Sequence, residues 1–141
     1  DPLWSRGLGD VYKRQILMAF EAVPAHAQSS TTCDQYGGYE AENCLNDALA
    51  TANDALNAAY QQAEAFIAGD PDTAAADKVT WKNDLIAAER AWVAYRDANC
   101  KFELIGAEWH NGSGTTAAQQ DCVLTMTTQR TSELTERYSA K

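Results

Sequence analysis

Residues 89–100 read Glu-Arg-Ala-Trp-Val-Ala-Tyr-Arg-Asp-Ala-Asn-Cys: two large aromatics, two arginines and two acids, closed by a cysteine. Their spacing decides the fold. Trp92 and Tyr95 belong to the series Trp81, Leu85, Ala88, Trp92, Tyr95, Asn99, Phe102, whose alternating steps of four and three place one apolar stripe along a long helix ending before Gly106. On that stripe both aromatics are expected in the core, where each buries on the order of 150–250 Å². Stacking on a ligand is the alternative use of the pair. Arg96 lies one turn from Trp92 and one turn from Cys100, so it borders the core, with Asp97 beside it.

Working towards the N-terminus, Leu45, Leu49, Ala52, Leu56, Ala59, Ala63 and Phe66 show the same period and predict an earlier helix from about Ala41. Gly69-Asp70-Pro71 stops it, because Gly suits the position just past a helix end and Pro the first position of the next helix. Towards the C-terminus, Trp109-His110-Asn111-Gly112-Ser113-Gly114 reads as a loop rich in turn formers. A third, weaker helix is expected from about Thr116 to Tyr138, with Val123, Met126, Thr127, Arg130, Leu134 and Tyr138 on one side. Arg130 on that stripe needs carboxylate partners, since a buried guanidinium without one is costly; Glu89, Asp97 and Glu133 are the candidates. The fold class expected is therefore all-α, an antiparallel three-helix bundle.

Going up, down and up brings the start of the first helix, the end of the second and the start of the third to one pole. Cys44, Cys100 and Cys122 sit at those places, and Cys33 shortly precedes Cys44, so the bundle is expected to carry two disulfides at one end. Of the three possible pairings, Cys33 with Cys44 clips an irregular arm (residues 28–40) to the first helix, and Cys100 with Cys122 closes the loop between the second and third. Loop-closure entropy makes the larger bridge worth about 3 kcal/mol. A metal site using His110 is the competing use of the cysteines, but no C-x-x-C or H-x-x-x-H spacing supports it. No metal and no cofactor are expected.

Residues 1–15 end in Asp10-Val11-Tyr12-Lys13-Arg14-Gln15, which back-translates to the end of a transposon adaptor used in sequencing libraries, and are read as adaptor read-through. Residues 16–27 combine an apolar patch, Pro24 and an Ala25-His26-Ala27 site, the second half of a truncated signal peptide cleaved after Ala27; a disordered, mildly apolar tail is the alternative. The expected localisation is periplasmic or secreted. The chain has a formal charge of -9, and residues 1–27 hold acids and bases in equal number, so that charge belongs to the exported part. Nucleic acid and anionic membranes are thereby disfavoured as partners, and a cationic protein is permitted. No later run reaches the length of a membrane span.

The run Trp92-Val93-Ala94-Tyr95-Arg96-Asp97-Ala98-Asn99-Cys100 resembles the W-x-x-Y-R-D-x-x-C signature of the LprI-like lysozyme-inhibitor family. Other pieces follow in order: Cys44 opening a helix, Leu56-Asn57 and Tyr60 within it, a Gly/Ser loop after Cys100, then Cys122 and Arg130 with Leu134. The resemblance runs from Cys33 to about Tyr138 and makes residues 41–141 an LprI-like helical domain. It implies an exported bacterial protein and, for at least some members, inhibition of lysozyme. The founding type is a lipoprotein, whereas no lipid-attachment cysteine follows the apolar patch here.

Catalysis finds little support. No G-x-S-x-G, H-E-x-x-H or glycine-rich phosphate loop occurs after residue 27, and the one histidine there, His110, lies in a loop. Paired acids such as Glu89 and Asp97 would need a raised pKa in a cleft to act as catalysts. The expected activity is steric blockade of a muramidase cleft by a cationic-partner binder, with Trp109, His110, Asn111 and Ser113 as contacts on a loop tethered by a disulfide. The alternatives are a Trp109 that merely folds back over the bundle end, and a periplasmic structural or small-ligand module without inhibitory activity.

Overall fold

Alanine, the best helix former, dominates the longest element: α1 (Gly38–Gly69) is 32 residues, about 48 Å at 1.5 Å per residue. In the computed structural model, which describes residues 32–139, it is followed by α2 (Ala75–Asn99), α3 (Phe102–Glu108) and α4 (Thr115–Arg137), with no strand among the described residues. The stretches expected to be adaptor read-through (1–15) and a leader cleaved after Ala27 (16–27), with the first residues of the arm, lie outside the described residues.

Local chemistry accounts for the helix ends. Glu40 sits in the first turn of α1, where an acid suits the dipole. The last turn of α1 has no basic residue of its own, and Lys78 from α2 supplies one, its Nζ donating to the Ala68 carbonyl at 2.9 Å. Between them the Asp70 carboxylate accepts from the Thr73 hydroxyl and the Asp72 N–H, which holds its pKa below the ordinary value. α4 is rich in threonine, a modest helix former, and Thr131 and Thr135 donate their hydroxyls to carbonyls one turn back, Thr127 O and Thr131 O.

Two apolar clusters fix the directions of the helices. At one end Ala59, Ala63 and Ile67 of α1, Leu85 of α2, and Leu134 and Tyr138 at the end of α4 pack together, with Leu56, Tyr60 and Trp81 against them. At the other, Cys33, Leu45 and Leu124 pack with Cys44, Leu49, Ala52 and Ala117. α1 and α4 therefore run the same way and form the closely packed pair, while α2 runs back against them. Both disulfides, Cys33–Cys44 and Cys100–Cys122, are formed, with Cα separations of 5.6 and 5.7 Å, in the pairing expected.

Three expectations need correction. The structure has four helices, not three: the chain breaks at Cys100, and the stretch expected to finish the second helix becomes the separate α3. α1 starts at Gly38, inside the stretch expected to be an irregular arm. Tyr95 is not in the core but 61% exposed, and Ala88 and Asn99 are also exposed. The inward line of α2 instead passes through Trp81, Leu85, Glu89, Trp92, Arg96 and Cys100, one position away from Tyr95. Two charged residues lie on that line, so an apolar stripe drawn from hydrophobicity alone misses it.

Candidate functional site

The charged residues of the α2–α4 seam are held by each other. Arg130 Nε donates to Glu89 Oε1 at 2.9 Å, its Nη2 reaches the same oxygen, and its Nη1 meets Glu133 Oε2 at 3.0 Å. Arg130 and Glu89 side chains are only 17% and 14% exposed. Burial works against the Arg130 cation, yet its hydrogen bonds to Glu89 and Glu133 and their charges outweigh that and raise its pKa. Arg96 lies over the half-buried Trp92 ring, 5.1 Å from its centroid, bonds Asp97 Oδ1 through Nε (3.0 Å) and Nη2 (2.8 Å), and approaches the buried Thr127 hydroxyl at 3.5 Å. All three candidate carboxylates, Glu89, Asp97 and Glu133, are thus engaged with arginine. Through Arg130–Glu89 and Arg96–Thr127 this arrangement joins α2 to α4.

The disulfide end is different in kind. α3 finishes in a Schellman motif: His110 N–H donates to Ala107 O at 3.3 Å and Asn111 N–H to Gly106 O at 2.7 Å, with His110 and Asn111 at φ 53° and 52°. A Cβ at Gly106 would lie 2.9 Å from Asn111 Oδ1, the tip of a side chain that can turn aside. The turn continues without slack. Gly112 N–H donates to Trp109 O at 3.0 Å, and Thr115 gives both its N–H (3.1 Å) and its hydroxyl (2.8 Å) to Gly112 O. The loop that holds Trp109, His110, Asn111 and Ser113 is therefore fixed at both ends and in the middle, and these four side chains are exposed together.

Trp109 combines the two arrangements considered for it. Its six-membered ring rests on Gly114, where a Cβ would approach Cζ3 to 3.3 Å, yet the residue stays 49% exposed. Trp109 and Gly114 both line a groove of about 340 Å³. The floor is Ala41 and Leu45 of α1 with Ala117 and Ala118 of α4, the far wall is the arm from Cys33 to Gly38 with Tyr36, and Asp34 and Asp121 border it. Tyr36, Tyr39, Phe102 and Leu104 add exposed apolar surface on the arm, the first turn of α1 and α3.

Burial pushes the Asp121 carboxyl above its ordinary range, and the negative charge of Asp34 pushes it further the same way. Sequence reasoning missed both acids. A signal for them existed: Asp34 follows Cys33 and Asp121 precedes Cys122, so cysteines expected at one pole carry these carboxylates there with them. Among the described residues, no group of three or more His, Cys, Asp or Glu side chains is placed to hold a metal ion, and no helix is long and apolar enough to cross a membrane.

No curated protein and no solved structure matches the chain. The family model described as lysozyme inhibitor LprI matches residues 29–134, from just before the first disulfide to the last turns of α4. That span takes in both disulfides, the arginine-linked seam and the Trp109 loop, and the chain belongs to the LprI lysozyme-inhibitor family.

Proposed function

We propose that this protein is an exported inhibitor of lysozyme-type muramidases that acts by steric blockade of the enzyme's cleft, using the Trp109 loop as its contact. The observation that carries the reading is membership of a lysozyme-inhibitor family over nearly all of the described chain. Supporting it, a net charge of -9 favours encounter with a basic protein. A loop fixed by a Schellman motif and a disulfide loses little entropy on docking, and a half-exposed tryptophan is the kind of side chain that anchors interfaces. No bond is made or broken in this mechanism, which matches a seam whose acids are all tied to arginines. Export to the periplasm or beyond, with cleavage after Ala27, fits two disulfides and no free cysteine among the described residues.

The test is a cell-wall hydrolysis assay with several basic lysozymes. The purified protein is expected to suppress lysis at a stoichiometric ratio, to weaken as salt rises from about 0.05 to 0.5 M because charge steering is screened, and to fail after reduction of its disulfides. Unchanged lysis at micromolar excess over every lysozyme tried would reject the proposal. It would favour a periplasmic module that binds some other envelope component.

A further inference from the structure

We propose that the groove beside Trp109 is an arginine receptor: it takes one arginine side chain of the basic partner, the stem on the alanine floor and the guanidinium between Trp109, Asp34 and Asp121. The inference rests on the inhibitor reading for the identity of the partner, but the chemistry of the groove is independent of it. Three features of the groove converge on that occupant. Its floor, Ala41, Leu45, Ala117 and Ala118, is apolar and built mainly from small side chains, which suits an aliphatic stem. Its wall is an indole held in place against Gly114, the preferred surface for a guanidinium. Its border carries two carboxylates from different elements, Asp34 on the arm and Asp121 on α4, each on backbone anchored by the adjacent disulfide cysteine.

The same grouping is built once already within this chain. Arg96 lies over Trp92 and is bonded to Asp97, so the scaffold already holds one Arg–Trp–Asp set. At the groove the indole and the acids are present, and Asp121 has no cationic partner among the described residues. Two carboxylates near enough to repel each other at an apolar surface are relieved by a cation placed between them. Burial raises the pKa of Asp121, and the charge of Asp34 adds to it in the same direction. An arginine can serve both acids through its forked donors while stacking on the indole, whereas lysine offers a point charge and no face to stack.

Two measurements on the whole oxidised protein test this. In the first, ¹⁵N-labelled protein is titrated with acetyl-Gly-Arg-Gly-amide and with the citrulline analogue, which has nearly the same shape and no charge. The arginine peptide is expected to shift the Trp109 indole and the Ala117, Ala118 and Asp121 amides. The citrulline peptide is expected to leave them in place. Absence of such shifts at 10 millimolar peptide, on the order of the weakest affinity of interest, or equal shifts with citrulline, would overturn the proposal. So would groove resonances that depend on protein concentration without peptide, which would identify a second copy of the chain as the occupant.

In the second, Asp34→Asn, Asp121→Asn and the double variant are compared in lysozyme inhibition, with circular dichroism to verify folding. The double variant is expected to lose at least about tenfold in potency, the scale of a desolvated charge pair at an interface. Retained potency with a folded double variant would reject the groove and leave the inhibitor reading standing. Arginine-peptide binding by a protein that inhibits no lysozyme would do the reverse.

Discussion

Asp121 carries a charge that costs the folded chain stability and that the proposed arginine contact would use. Its carboxyl titrates above the ordinary value of 3.8 because burial and Asp34 disfavour the charge, so ionising it costs the folded state more than the unfolded chain. The destabilisation is fully present above the raised pKa and disappears as pH falls below 3.8. Asp121→Asn is therefore expected to raise the melting temperature at pH 7 and to leave it unchanged near pH 3, while weakening inhibition. A lower melting temperature for the variant at pH 7 would show that the carboxylate is a structural support. Arg130 is the contrasting case: its charge is matched by Glu89 and Glu133 within the seam, so it holds α2 to α4 and leaves little for a ligand.

At the level of elements, the short α3 and its Schellman ending decide where the Trp109 loop points. His110 occupies the left-handed position at which glycine is the usual residue, a conformation costing an ordinary side chain roughly 1 kcal/mol. His110→Gly is expected to raise stability by about 0.5–1 kcal/mol, less whatever the freer unfolded chain takes back. The urea midpoint measures this directly. A fall in the midpoint would mean that the imidazole makes a stabilising contact that outweighs the backbone strain. Because glycine keeps the loop's shape, the same variant also tests the proposed role of the histidine side chain in inhibition separately from that of the loop.

Across the whole molecule, stability is unevenly spread. α1 and α4 pack along their lengths, one disulfide ties the arm to α1 and the other ties the end of α2 to α4, whereas within α2 itself Leu85 is the sole buried residue. The α2–α4 seam depends on ion pairs and a cation stacked on an indole. Backbone amides in the middle of α2 are accordingly expected to exchange with deuterium at least about tenfold faster than those in the middle of α1 and α4, since a helix with few buried apolar contacts opens at lower free energy. Equal protection in all three would show that the seam is as strong as an apolar core. The disulfide pole, tied to the more rigid pair, is where a binding surface benefits most from rigidity.

The sequence alone determined whatever depends on neighbours along the chain. Three long helical stretches followed from apolar spacing, the end of the first from Gly69-Asp70-Pro71, and the gathering of Cys33, Cys44, Cys100 and Cys122 at one pole from an up-down-up path; the sulfur pairing was a preference among three possibilities, with which the structure agrees. Only the tertiary structure decided which face of α2 turns inward. Hydrophobicity placed Tyr95 inside, but Glu89 and Arg96 can occupy the inner line once Arg130, Asp97 and Thr127 are there to meet them, and that compensation comes mostly from another helix. The groove has the same origin: Asp34, Ala41, Trp109 and Asp121 are scattered along the chain, and their chemistry becomes joint only when the arm, α1, the loop and α4 are brought together. A periodic pattern records a residue's own preference for water, whereas a buried charge or a shared cavity depends on what lies opposite, which no single stretch of chain contains.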